Sequence, residues 1–188
     1  MLEGLPEAEL ARRCRSGDTR AWRELVRRFT PLVYRLSHRM LRHGSEAEDV
    51  SQEVFLRIHR SFGTYDPTRT LAPWVARTTY NACLRRLEGS ARKTTQDSGN
   101  AELGAIRDAG APNPEQTAAA TELQDLLARA LGELPAQDRA LLDLRYQEGL
   151  SDAEVSEATG MPVNTVKTRI YRARGRLRSW LAPLLSED

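Results

Sequence analysis

Residues 151–178 read SDAEVSEATGMPVNTVKTRIYRARGRLR, and the architecture follows from this stretch. Ser151 followed three residues later by Glu154 is a capping box, in which hydroxyl and carboxylate satisfy free amides reciprocally at a helix start. A short helix to Thr159, Gly160 as its C-terminal stop, Met161-Pro162 as turn and a basic helix from about Asn164 together predict a helix-turn-helix. At about 100° per residue, Val166, Ile170, Ala173, Leu177, Trp180 and Leu181 share one side of the last helix. The six cations Lys167, Arg169, Arg172, Arg174, Arg176 and Arg178 lie off that side, so the helix can pack and still show a basic face. A solubilising charged helix would mix both signs. The second helix of such a motif characteristically enters the major groove with its N-terminal residues toward the bases.

Upstream, Leu123–Leu131 and Arg139–Tyr146 read as amphipathic helices separated by Leu134-Pro135. Residues 122–157 hold nine acids and three arginines, whereas residues 163–180 hold six cations and no acid. An acidic block beside a basic one points to two different partners. Residues 88–115, EGSARKTTQDSGNAELGAIRDAGAPNPE, lack apolar periodicity and are dense in Gly, Ser, Thr, Asn and Pro, which predicts a flexible linker. The expectation is therefore an all-α chain of two small helical domains, residues 1–87 and 118–188, joined by a flexible linker at 88–117.

In the first domain Asp18 can cap a helix carrying Ala21, Trp22, Leu25, Val26 and Phe29, which Pro31 bends or restarts before Leu32, Val33, Leu36 and Met40. Ser45 and Glu48 form a second capping box, so a helix is expected from Ser45. On it Ala47, Val50, Val54, Phe55, Ile58 and Phe62 face one way and Asp49, Gln52, Glu53 and Leu56 the other. The first side is core, and an exposed Leu56 among acids is unusual for a merely solvated face. After a turn at residues 62–67, a helix spans roughly Leu71–Leu87, with Pro73 in its first turn. Trp74, Arg77, Thr78, Asn81 and Arg85 make a stripe along it. Two readings stand: a nucleic-acid surface, with cations for phosphates and amide and ring for bases, or an ordinary polar face with Trp74 packed on the preceding loop.

The 188 residues, 40% hydrophobic with a net charge of +2, suffice for cores of this size. Residues 1–87 alone carry sixteen Lys and Arg against ten Asp and Glu, a net of +6. Cys14 and Cys83 stand apart and read as reduced thiols. No apolar run approaches the roughly 20 residues that cross a bilayer, and Glu3, Glu7 and Glu9 do not suit a signal peptide, so membrane insertion is not expected and a cytoplasmic location is. The carboxylates of Glu46, Glu48, Asp49 and Glu53 straddle different helix faces beside His43 and His59, and no two histidines have ligand spacing. Neither a metal site, a cofactor nor catalysis is expected.

Four stretches together resemble the extracytoplasmic-function (ECF) sigma factors of bacterial RNA polymerase: GDTRAWRELVRRFTPLVYRL (17–36), AEDVSQEVFLRIHR (47–60), WVARTTYNACLRR (74–86) and ALGELPAQDRALLDLRYQEGLSDAEVSEATGMPVNTVKTRIYRARGRL (130–177). The resemblance implies a region-2 bundle followed by a region-4 helix-turn-helix, in a subunit that directs core polymerase to promoters. It implies that Asp49, Gln52, Glu53 and Leu56 dock on the β′ clamp. Tyr65, Trp74, Arg77, Asn81 and Arg85 would handle the minus-ten element, the loop around Tyr65 taking up an unstacked base. Thr165, Lys167, Thr168, Tyr171 and Arg172 would read the minus-thirty-five element, with Arg169, Arg174 and Arg176 on phosphates. The acidic first half of the second domain would suit the β flap and, at rest, an anti-sigma factor. Asn164 stands where the family usually has Gly and is expected to serve as the recognition helix's N-cap. A free-standing helix-turn-helix regulator would need a dimer module, and no long symmetric apolar face announces one.

Overall fold

A computed structural model describes residues 4–96 and 126–182. The described residues contain helices and no strand. In chain order they are α1 (Glu7–Arg15), α2 (Thr19–Leu41), α3 (Gly44–Ser61), a 3₁₀ turn (Phe62–Thr64) and α4 (Leu71–Gln96), then α5 (126–132), α6 (Ala136–Tyr146), α7 (Asp152–Thr159) and α8 (Val163–Leu181).

The start of α2 is fixed as its sequence requires. The Asp18 carboxylate accepts from the Arg20 and Ala21 amides at 2.8 and 3.3 Å, satisfying donors that a helix start leaves free. Pro31 does not restart the chain, because α2 runs unbroken across it. An interior proline costs about 3 kcal/mol. Buried Phe29, Leu32 and Val33 flank it and hold the helix against the core, while Thr30 Oγ1 donates to the Val26 carbonyl at 2.7 Å.

Helix α3 departs from expectation at its start. It begins at Gly44, His43 is the N-cap and makes no side-chain cap bond, so the Ser45–Glu48 box does not form. Beginning earlier puts Ser45 inside the first turn, where Glu46 pairs with Arg86 of α4 at 3.2 Å. Buried Ala47, Val50, Val54 and Ile58 nevertheless occupy the core side as their spacing demands, with Phe55 partly buried beside them.

Helix α4 begins at Leu71 with Pro73 in its first turn but continues to Gln96, beyond the expected domain limit at Leu87. Glu88, Ala91, Arg92 and Lys93 are good helix formers, and one glycine at about 1 kcal/mol does not stop a helix already anchored by Val75, Tyr80 and Cys83. The linker expected at 88–117 thus starts with helix at 88–96, and its remainder lies outside the described residues.

The two helical units share one continuous core rather than sitting apart. Helix α6 packs on α2 and α7 on α4. Around this apolar contact Arg35 of α2 pairs with Glu148 and Asp143, Arg69 pairs with Glu157 at 2.7 Å, and Arg42 donates to the Gly132 carbonyl at 3.0 Å. Arg139, 7% exposed, reaches from α6 to the carbonyls of Arg39 and Met40. Burial, reinforced by the neighbouring Arg42 and Arg39 charges, pulls its guanidinium down to about 10.

Candidate DNA and polymerase interfaces

The helix-turn-helix forms from its local signals. Ser151 and Glu154 make both bonds of the capping box. Gly160 ends α7 at φ +73°, a left-handed conformation that glycine adopts without a side-chain clash. The Ser156 hydroxyl donates to the Met161 carbonyl and ties the turn. The N-cap of α8 is Pro162, and Asn164 lies inside the first turn, not at the cap. Proline's fixed φ suits this position and leaves Asn164 exposed, its carbonyl accepting from the Thr168 hydroxyl at 2.8 Å.

Val166, Ile170 and Ala173 anchor α8. Thr165, Lys167, Thr168, Tyr171, Arg172, Arg174 and Arg176 are exposed, Tyr171 at 78%, on the outer side of the helix. Arg174 also stands 5.9 Å over the Tyr146 ring. Two residues depart from their expected sides. Trp180, assigned by spacing to the packed side, is 51% exposed and lines an open cavity with Ala130, Glu133 and Leu134. Arg169, expected on phosphate, turns inward, with Nε 2.6 Å from Asp138 Oδ1 and Nη1 2.7 Å from Gln137 Oε1.

On α4 the exposed Arg77, Asn81 and Arg85 keep their row. Trp74 instead packs on the preceding loop, 5.6 Å from Phe62 and 5.1 Å from Tyr65 between ring centroids. Tyr65, expected to be available to an unstacked base, is 4% exposed and donates its hydroxyl to the Arg69 carbonyl. Burial, with Glu7, Asp66 and Glu157 adding negative charge, pushes that phenol up to about 12. Of the two readings left open for Trp74, packing on the preceding loop is the one adopted, and it encloses Tyr65.

The outer side of α3 appears as its spacing predicts. Asp49, Gln52, Glu53 and Leu56 are all exposed, Leu56 at 58%. Arg57 Nε binds Glu53 at 2.8 Å and Arg86 lies 3.5 Å from Asp49, so cations on one flank partly answer the acids. Sequence reasoning missed a shallow apolar groove between α5, α6 and α8, lined by Leu127, Leu131, Leu142, Tyr146 and Leu177 with Arg39 and Arg174 at its edge. Leu127 is 42% and Tyr146 54% exposed there. The helical spacing of the leucines was legible; their failure to close over one another was not.

Among the described residues no three His, Cys, Asp or Glu side chains are grouped to hold a metal ion, and no helix is long and apolar enough to cross a membrane.

Comparison with known proteins agrees with this layout. Residues 25–93 match Sigma-70 region 2 and residues 124–177 match Sigma-70, region 4. The chain is 37% identical over 177 residues to the ECF RNA polymerase sigma factor SigE of Mycolicibacterium smegmatis, covering 92% of this chain and 67% of that protein. It is 30% identical over 178 residues to the ECF RNA polymerase sigma factor SigW of Bacillus subtilis, covering 90% and 94%. In fold it is similar to the sigma factor RpoE of Bartonella quintana, solved with the anti-sigma factor NepR, at TM-score 0.72 and 19% identity over 85% of this chain and 96% of that one. It is similar also to CnrH, solved with the cytosolic domain of CnrY, at TM-score 0.67 and 24% identity over 94% and 97%. With two sigma regions in order, and curated relatives matched over nearly its whole length, the chain belongs to the ECF RNA polymerase sigma factors.

Proposed function

We propose that this sigma factor divides promoter recognition between its two units and performs no covalent chemistry itself. The first unit attaches to the β′ clamp of core polymerase through Asp49, Gln52, Glu53 and Leu56. It handles the minus-ten element through Arg77, Asn81 and Arg85, with Trp74 and Tyr65 released from their aromatic cluster as the strands part. The second reads the minus-thirty-five element through Thr165, Lys167, Thr168, Tyr171 and Arg172, with Arg174 and Arg176 on phosphates. Its acidic helices and apolar groove suit the β flap or an anti-sigma factor, and the structural neighbour RpoE, solved with the anti-sigma factor NepR, favours that regulation. A protein doing this work acts in the cytoplasm, where polymerase is.

The single observation that carries the reading is that α8 exposes five of its cations and no acid outside its packed stripe while α3 exposes acids beside Leu56. One face fits the polyanion and the other a protein.

Promoter reading requires the shared core to open. The centres of the two elements lie about 25 base pairs apart, about 85 Å along the duplex. A compact body of roughly 150 residues has a radius of gyration near 15 Å and measures about 40 Å across. It cannot touch both sites while closed.

The test is reconstitution with bacterial core polymerase lacking its specificity subunit. Copurification and heparin-resistant complexes on a subset of genomic fragments are the expected result. Failure to attach to core, with tight binding of unopened DNA by the isolated chain, would overturn the reading in favour of a free-standing regulator.

A further inference from the structure

We infer that Arg169 is a positioning residue: it fixes the angle at which the recognition helix leaves its domain instead of contacting the phosphate backbone. The inference rests on the reading of α8 as a DNA-recognition helix. Its own support is geometric.

Arg169 sits on α8 between Val166 and Ala173, three residues before it and four after, both buried at 0% and 1% exposed. Those spacings place it on the flank of the packed stripe. Its guanidinium is held from two directions. From α6 the Asp138 carboxylate and the Gln137 amide oxygen each accept at 2.6 and 2.7 Å. From the turn between α7 and α8 the Met161 sulfur lies 3.8 Å from Nη1. Asp138 is 8% exposed and stands in the first turn of α6, where the helix's unsatisfied amides favour a carboxylate. A charge-assisted, forked contact of this kind fixes direction as well as distance.

The neighbouring cations behave differently. Lys167, Arg172, Arg174 and Arg176 are exposed. Gln137, Asp138 and Met161 all belong to the same unit as Arg169, so opening of the shared core leaves them beside it, and to reach a phosphate Arg169 would have to give up a charge-assisted contact already made. The pair therefore persists on DNA, and the outer residues of α8 depend on it for their aim.

The test uses full-length protein in holoenzyme with core polymerase. The probes are a duplex selected from a random pool by the wild-type holoenzyme and the same duplex with its minus-thirty-five element scrambled. Arg169→Gln and Asp138→Asn should each reduce the preference for the selected duplex at least tenfold. Binding to the scrambled duplex and the salt dependence of affinity should stay unchanged, and the double variant should be no worse than either single one. Arg169→Lys, which keeps the charge but loses the fork, should fall between.

A phosphate contact gives another pattern: uniform loss on both duplexes with the salt slope reduced by about 1. Tighter binding by Asp138→Asn would equally overturn the inference, since it would mean that Asp138 withholds Arg169 from DNA.

A measurement without DNA separates aim from folding. Spin labels at Gln147→Cys and Ser179→Cys report α6 against α8. Cys14 and Cys83 are buried and their thiols are raised to about 11, so they should not take up label at neutral pH. The distance distribution should broaden in Arg169→Gln and Asp138→Asn while helical content is retained; an unchanged distribution overturns the inference. If the wild-type holoenzyme selects no duplex, the sigma reading fails while this distance measurement still decides the role of Arg169.

Discussion

The Arg139 guanidinium on α6 donates to the main-chain carbonyl of Met40, 3.1 Å away in the last turn of α2. The last carbonyls of a helix have no partner within it, and they carry the negative end of its dipole. A buried cation from the second unit therefore satisfies the end of α2 in the first unit. Through the Leu134 carbonyl it also braces the segment that leads into its own helix. Arg35, Glu148 and Asp143 continue the contact toward solvent, so the closed state combines an apolar seam with charge pairs.

Those pairs can be broken without touching either core. Arg35 and Glu148 are 34% and 16% exposed at their side chains, and reversing either sets like charges against each other. Arg35→Glu or Glu148→Arg should each raise the radius of gyration measured by small-angle scattering by several Å, with helical content unchanged. Combining the two should close the molecule only part of the way, because Asp143 still faces position 35. A scattering curve insensitive to all three variants would mean that the apolar seam alone holds the units together.

The acidic side of α3 is where interface and stability separate most cleanly. Glu53 is exposed and its ion pair with Arg57 spans one helical turn, worth at most about 0.5 kcal/mol. Glu53→Lys should thus weaken core polymerase association at least tenfold while the melting temperature moves by only a few degrees. Pull-down against core and a thermal melt on the same preparation check both. A cooperative loss of folding would show the residue to be structural.

How far these surfaces were legible depends on whether a signal was local. The Ser151–Glu154 box, the Gly160 stop and the opposed sides of α3 involve residues three or four apart, and all appear as the spacing predicts. The Ser45 box did not form because α3 starts earlier, with His43 in place of Ser45 as its N-cap. Arg169 was assigned outward, since nothing near it in sequence names Asp138, and Tyr65 because packing of Trp74 on its loop was only one of two readings and did not say which loop residue would be covered. The same limit hid the shared core. Arg139 looked like an ordinary charge on an amphipathic helix, because the carbonyls it meets lie about a hundred residues upstream.

Acid should loosen the first unit through one identifiable carboxylate. Glu24 is 6% exposed, and Arg27 above all, then Arg28, hold it down to about 2 from an ordinary 4.5. Its folded-state value lies below the unfolded one, so its contribution is fully present above about 4.5 and is lost as pH falls toward about 2. The wild-type melting temperature should fall across that window, and Glu24→Gln should be less stable at neutral pH but flatter between 4.5 and 2. Equal slopes for both proteins would assign the acid sensitivity to other carboxylates.

Arg172 tests the division of labour along α8. It is exposed, one turn beyond Thr168 on the same outward side, and lies among residues assigned to bases. A base-edge contact is worth about 1–3 kcal/mol against the wrong base and acts at one or two positions. Arg172→Ala holoenzyme should therefore relax its preference at one or two minus-thirty-five positions and leave the remainder unchanged, with the salt slope of binding retained. Competition among duplexes varied one position at a time measures this directly. If every duplex weakens equally and the slope falls by about 1, Arg172 belongs with Arg174 and Arg176 on the phosphates, and base reading is confined to the first turn and a half of the helix.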